Sequence, residues 1–148
     1  LYDAGKNALN LMNRVTGDAS LWKFYITGKV DHSSGLGDLG RVVAKGRLEN
    51  PLEFLAKSRV VTILSDLGYG FKTKILESLM AGCWVFVTQE LFNRLPDVVQ
   101  PGCKVIDVRS VDSFASTLTA CTTPPPALPY NDVLRDRAFE AMDRIFLR

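Results

Sequence analysis

A chain of 148 residues fits one domain with a sizeable core, and its 47% apolar and 23% charged residues are ordinary for a globular protein. Eighteen basic residues against 16 acidic ones give a net charge of +2, and their scatter argues against a nucleic-acid-binding surface. No apolar run approaches the roughly 18 residues of a membrane span, and the opening residues lack the pattern of a signal peptide.

Alternating apolar patterns divide the chain into helices and strands. Apolar residues at helical spacing mark helices, and short runs rich in β-branched and aromatic residues mark strands. In chain order the predicted elements are a helix over 8–15, a strand over 21–28, a loop over 29–40, a strand over 41–46, a helix over 50–58, a strand over 59–64, a helix over 72–82, strands over 83–88 and 104–108, and helices over 111–120 and 131–148. Asn50 as N-cap and Pro51 at the first helical position support the helix that they begin.

This order of elements predicts an α/β fold. Strands separated by helices pair in parallel through right-handed crossovers, which gives a Rossmann-like sheet with helices on both faces. The continuous apolar run 59–64 is typical of a strand covered on both sides. In such sheets, ligands bind beyond the carboxyl ends of the strands.

A proline-rich stretch separates the last helix from the rest of the chain. Residues 122–130, TTPPPALPY, contain four prolines, which lack amide donors, and are interpreted as a linker. We therefore divide the chain into a domain over 1–121, this linker, and a C-terminal helix over 131–148. Its apolar face is predicted to contain Leu134, Ala138, Ala141 and Ile145.

The turn between the strand 59–64 and the helix 72–82 is the strongest candidate for a binding site. Gly68 and Gly70 allow a close approach of the backbone, and Lys72 and Lys74 add positive charge at a helix N-terminus, which attracts anions. Glu77 projects back over this turn, because helical side chains lean toward the N-terminus. Its two oxygens match a ribose diol, so the set suits a nucleotide.

A purely structural interpretation of the same residues stays open. Glu77 could pair with Lys72 or Lys74 on the helix surface, and the glycines could only shape a tight turn. The single histidine, His32, lies in a glycine-rich loop without a recognisable catalytic partner, and a structural or solvent-exposed role is expected for it.

The stretch YGFKTKILESLMAGCWVFVT resembles the signature of the retaining GT-B glycosyltransferases of the family 4 (group 1) type. The resemblance extends over residues 1 to about 120. The matching signature residues are Gly70, Phe71, Glu77, Ala81, Gly82, Val85 and Thr88.

The resemblance implies that this domain binds a nucleotide-sugar donor, such as a UDP- or GDP-sugar, and takes part in transfer of the sugar with retention of configuration. In this family Glu77 would bind the ribose, and the turn formed by Gly70, Phe71, Lys72 and Thr73 would approach the sugar and diphosphate. Lys6 lies where the family has a lysine for the diphosphate, and Arg47 and Leu48 would line the base. Lys6 and Arg47 could equally be ordinary surface residues.

Two signature positions depart from the family pattern. Tyr69 replaces an acidic residue that normally faces the transferred sugar, although its phenol could still bind the donor through hydrogen bonds to sugar hydroxyls, and Trp84 replaces a proline. No catalytic residue can therefore be assigned, and a non-catalytic binding or interaction module is the alternative function. An unrelated receiver or flavodoxin-like domain is a further alternative, although the clustered aspartates of a receiver are missing.

The resemblance also predicts partners and surroundings. We expect an acceptor-binding N-terminal domain and a central strand before Leu1, since the chain begins without methionine as if cut from a longer protein. We expect no metal, no cofactor besides the nucleotide-sugar substrate, and no nucleic-acid partner, with possible peripheral membrane association of the parent enzyme. Cys83, Cys103 and Cys121 form an odd set without metal-binding spacing; reduced thiols in the cytoplasm are favoured over a disulfide or a metal site.

Overall fold

The computed structural model describes residues 2–28, 38–64 and 73–146. In chain order the helices are α1 (Tyr2–Arg14), α2 (Pro51–Ala56), α3 (Thr73–Met80), α4 (Gln89–Asn93), α5 (Val111–Ala120) and α6 (Tyr130–Phe146), with 3-10 helices over Gly17–Leu21 and Gln100–Gly102. The strands are β1 (Tyr25–Thr27), β2 (Val43–Gly46), β3 (Val60–Ile63), β4 (Trp84–Val87) and β5 (Cys103–Val105).

Every described pair of strands is parallel. β1 pairs with β2 in one sheet, and β3, β4 and β5 lie in that order in a second sheet. Helices connect the strands of the second sheet and pack against it, so the predicted Rossmann-like α/β class is confirmed. The described strands nevertheless form two separate sheets, rather than the one continuous sheet expected from the sequence.

The three-stranded sheet separates two hydrophobic cores, because successive side chains of a strand point to opposite faces. Phe86 of β4 faces a core that includes α1 and α5, and its ring meets that of Phe114 edge to face at 5.8 Å. Val85 and Val87 of the same strand face a second core, which includes α3, α4 and the start of α6. We call these the α1–α5 core and the α3–α6 core.

Three N-caps of the expected type begin helices. The side chains of Asn50, Thr88 and Ser110 accept hydrogen bonds from the backbone N–H groups three residues ahead, at 3.3, 3.2 and 3.1 Å. Asn50 was predicted as a cap. Thr88 was assigned only to the end of a strand, yet it begins α4, which the sequence did not predict.

The predicted strand over 21–28 is wrong in its first half. Leu21 ends a 3-10 helix and is 80% exposed, and β1 begins only at Tyr25. Trp22 accordingly lies outside any strand, although it is half-buried against the α1–α5 core. Of the predicted loop over 29–40, residues 29–37, which include His32, lie outside the described residues.

The apolar face of α6 is largely uncovered. Tyr130 is buried and Leu134 is half-buried in the α3–α6 core, but Ala138 and Ala141 are exposed, as is Phe139 at 57%. Of the predicted face, Leu134 therefore packs against the domain and Ala138 and Ala141 do not, while the side chain of Ile145 lies outside the description. None of the helices in the described part of the chain is both long and apolar enough to cross a membrane.

Candidate functional site

Helix α3 follows β3 and presents two different faces. Ile75, Ser78 and Leu79 are buried against the α3–α6 core, and the Ser78 hydroxyl donates to the Lys74 carbonyl at 2.7 Å. Thr73, the first described residue of the helix, is exposed. Backbone N–H groups in the first turn of a helix have no partner within the helix and carry partial positive charge.

Glu77 lies on the exposed face of α3, one turn beyond Thr73. At 1.5 Å per residue its backbone is about 6 Å along the axis from the helix start. Among the residues that the structure describes, Glu77 forms no ion pair with the equally exposed Lys74. Pairing of Glu77 with Lys74 is therefore not supported, whereas the alternative partner, Lys72, lies outside the described residues.

Gly82 ends α3 and turns the chain into β4. Its φ of +83° is in the left-handed region, where a side chain is strained. The Gly82 amide donates to the Leu79 carbonyl at 3.0 Å, and the Cys83 amide donates to the Ser78 carbonyl at 2.9 Å. These two bonds form a Schellman motif. The Ala-Gly pair of the signature is thus a helix C-cap, which sets the direction of β4.

The remaining predicted site residues lie on other elements. Lys6 is exposed on α1, a helix that packs in the α1–α5 core beside β3. Arg47 is exposed and Leu48 half-buried, directly after β2 in the two-stranded sheet. The described residues thus place the predicted base-lining segment and the α3 entrance on different sheets.

The centre of the predicted site lies in a part of the chain that is not described. Gly68, Tyr69, Gly70, Phe71 and Lys72 all fall within 65–72, outside the described residues. Their assignments stay predictions.

Other reactive groups do not form a second candidate centre. The three cysteines are unpaired and buried, and burial raises the pKa of the Cys83 thiol to about 11 and that of Cys103 to about 12. Protonated, buried thiols are poor nucleophiles and poor metal ligands. Within 2–28, 38–64 and 73–146, no group of three or more histidine, cysteine or acidic side chains is arranged to hold a metal ion.

Comparison with known families identifies the domain. The family model described as glycosyl transferases group 1 matches residues 4–123, most of the chain. The chain belongs to the group 1 glycosyltransferases. The comparisons with curated proteins and with solved structures gave no significant match.

The match with the group 1 glycosyltransferases covers α1 to α5 and ends just after α5, so α6 lies beyond it. It confirms the family inferred from the signature.

The sequence analysis missed one structural role, that of Thr88 as the N-cap of α4. A threonine followed three residues later by a leucine amide gives too weak a signal to distinguish a cap from a strand end.

Proposed function

We propose that this domain binds the nucleotide-sugar donor of a glycosyltransferase at the entrance of α3. Membership of the group 1 glycosyltransferases supports glycosyl transfer in general. The observation that supports this particular site is the exposed Glu77, which lies one turn beyond Thr73 and whose side chain has no partner among the described residues.

The proposed chemistry follows from charge. Amides of the first turn of α3, with Lys72, Lys74 and Lys6, bind the diphosphate and stabilise the negative charge that develops on it as the sugar departs. Glu77 accepts hydrogen bonds from the ribose hydroxyls, and Arg47 and Leu48 lie against the base. The lysines and amides supply the positive charge, so the proposal requires no metal ion and no cofactor besides the donor.

The transfer step itself requires an acceptor site. We place that site on a separate N-terminal domain, with the sugar transferred in the cleft between the two domains and with retention of configuration. Reduced cysteines favour the cytoplasm as the compartment, since all three are unpaired in the structure. A domain that no longer binds a donor would instead be an interaction module.

Calorimetric titration of the full chain with UDP and GDP tests the site. We expect one of the two nucleotides to bind, and we expect the 2′-deoxy form of that nucleotide to bind more weakly, because one donor to Glu77 is lost. The Glu77→Gln variant should lower affinity for the ribonucleotide about 10-fold or more, since hydrogen bonds to a charged group contribute about 1.5–3 kcal/mol. The variant should also discriminate less between the ribo and deoxy forms.

Glu140→Gln is the matched control, because Glu140 is an exposed glutamate on α6, beyond the family match. This variant should bind the nucleotide as the wild type does. Absence of heat with both nucleotides would favour the interaction module. Binding that Glu77→Gln leaves unchanged would move the nucleotide away from the α3 entrance.

A further inference from the structure

An open groove lies between the three-stranded sheet and the second half of α5. Its volume is about 360 Å³, at the small end of the range for small-molecule sites in proteins. We call it the Trp84 groove, and it is lined by Trp84, Lys104, Ser116, Thr117, Ala120 and Cys121. Trp84 lies two residues before Phe86 in β4, and Lys104 pairs with Phe86 from β5. Both side chains are therefore on the face of the sheet that α5 covers.

The Trp84 groove and the proposed donor site lie at opposite edges of the sheet. Trp84 begins β4 and Arg59 directly precedes β3, so both mark the edge at which the parallel strands start. Helix α3, by contrast, follows the carboxyl end of β3. A ligand in the groove would therefore not occupy the space of a nucleotide at the α3 entrance.

Two cationic side chains flank the groove. The Lys104 ammonium nitrogen lies 4.4 Å from the centre of the Trp84 ring, a distance at which a cation is attracted to the ring face. The Arg59 guanidinium donates to the Thr122 carbonyl, and the Trp84 indole N–H donates to the next carbonyl along the chain at 2.7 Å. The Trp84 amide also donates to the Arg59 carbonyl at 3.0 Å. Arg59 and Lys104 are thus both held beside the same indole.

Neither cation is neutralised by a carboxylate within the described part of the chain. An ammonium group has three N–H donors and a guanidinium has five, so Lys104 and Arg59 keep donors for a further partner. Both charges act on the Cys121 thiol, which lines the groove: burial raises the pKa of this thiol, and the charges of Lys104 and Arg59 oppose that rise. Two positive charges therefore act on the groove.

The carboxyl end of α5 opposes an anion in the same place. This helix ends at Ala120, and the end of a helix carries about half a negative charge. The Cys121 amide donates to the Leu118 carbonyl at 3.2 Å, which compensates part of that charge. Two full positive charges against about half a negative charge leave an excess of about one and a half positive charges, so the groove attracts an anion.

The walls of the groove are mostly apolar. Trp84 is half-buried, with its ring packed against the α1–α5 core, and Ala120 is exposed. The half-buried Thr117 adds a hydroxyl that has no hydrogen-bond partner among the described residues. A simple inorganic ion would leave the apolar walls in contact with water, whereas a ligand with an apolar body would cover them.

We propose that the Trp84 groove binds a small organic anion with an apolar body, such as an aromatic carboxylate. The carboxylate pairs with Lys104 and Arg59, and the Thr117 hydroxyl supplies a hydrogen bond. The apolar body covers the walls formed by Trp84 and Ala120. This second site is independent of donor binding at α3.

Titration of the ¹⁵N-labelled intact chain with benzoate, followed by NMR, tests this site. The chain has two tryptophans, so two indole N–H signals are expected, and the Trp84→Phe variant identifies the one from Trp84. Benzoate should shift the Trp84 signal with a dissociation constant on the order of 1 mM, as suits so small a ligand, and should leave the Trp22 signal unchanged. Benzamide, which is neutral and has nearly the same shape, and acetate, which has the charge but no ring, should each bind about 5-fold more weakly or less.

The Lys104→Gln variant tests the role of charge. It should weaken benzoate binding about 2- to 5-fold, the effect of losing one exposed ion pair. Lys45→Gln is the matched control, because the exposed Lys45 ammonium also lies beside an aromatic ring, 5.2 Å from the centre of Tyr25, but in the two-stranded sheet. This variant should bind benzoate as the wild type does.

Several results would overturn the proposal. One is a Trp84 signal that stays unchanged at benzoate concentrations about 20-fold above the expected dissociation constant. Equal affinities for benzoate and benzamide would show that the positive charges play no part, and equal affinities for benzoate and acetate would show the same of the apolar walls. Unchanged benzoate affinity in Lys104→Gln, or equal weakening in Lys104→Gln and Lys45→Gln, would mean that the anion does not bind specifically in the groove.

Discussion

Substitution of Gly82 should reduce stability without changing the donor site. The φ of +83° at Gly82 is unfavourable for alanine by about 1–2 kcal/mol, and a Cβ at this position meets no atom within 4 Å. Backbone strain is thus the whole cost of Gly82→Ala. With an unfolding entropy of about 2.1 cal/mol/K per residue, 148 residues give about 0.3 kcal/mol/K, so Tm should fall by about 3–6 °C.

Thermal unfolding followed by circular dichroism measures this change. Gly82→Asn is the control, because asparagine tolerates the left-handed conformation better than alanine and should fall between Gly82→Ala and the wild type. Nucleotide affinity of Gly82→Ala, measured well below its Tm, should equal that of the wild type. An unchanged Tm for Gly82→Ala would refute the assignment of Gly82 as a strained helix C-cap.

Three further predictions concern packing, pH and thiol chemistry. Gly102→Ala should destabilise the chain by about 1–3 kcal/mol in urea denaturation, because its Cβ would lie 2.3 Å from Leu79 Cδ2; an unchanged midpoint would contradict this packing. The hydrogen bond from Arg137 holds the pKa of the Asp97 carboxyl below its usual range in the folded chain. The pair therefore stabilises the folded chain at pH values above the pKa that Asp97 has in the unfolded chain. This contribution is lost as the pH falls through the lower pKa of Asp97 in the folded chain. The Tm of the wild type should therefore exceed that of Asp97→Asn at pH 7, and the difference should disappear on acidification; a difference independent of pH would count against the pair. Because burial raises the pKa of the Cys103 thiol to about 12, this thiol should react with a disulfide reagent at pH 8 only after denaturation. Rapid reaction of the native chain would show instead that the α3–α6 core around Cys103 opens.

Periodicity and capping predicted the helices better than residue type predicted the strands. The helix at 111–120 was predicted with the bounds that it has, since Phe114 and Leu118 fall at helical spacing and both are buried. The strand predicted over 21–28 begins too early, because aromatic and β-branched residues indicate a preference for strands but not where the pairing with a neighbouring strand begins. Helix α4, with five residues, is too short to show a helical period.

Contacts that are distant in sequence lay beyond prediction. The pattern of α6 shows which of its faces is apolar, but it could not show that Leu134 packs against the domain while Ala138 and Ala141 stay exposed. The prolines of 122–130 predict the absence of regular structure. They do not predict that the Trp84 indole N–H donates a hydrogen bond to the Thr123 carbonyl, 39 residues away. Both features depend on which partner a side chain meets in three dimensions, which local sequence does not encode.

The signature that identified the family combines two physically different sets of residues. Downstream of Glu77 its members maintain the fold: Gly82 caps α3, Val85 is fully buried in β4, and Thr88 caps α4. The Glu77 side chain contributes nothing to either core, because it is exposed and has no hydrogen-bond or ion-pair partner among the described residues. A fold-maintaining set can be kept whether or not a donor binds. Family membership therefore follows mainly from residues that build the sheet, whereas the proposed donor binding depends on Glu77, whose substitution should leave both cores intact.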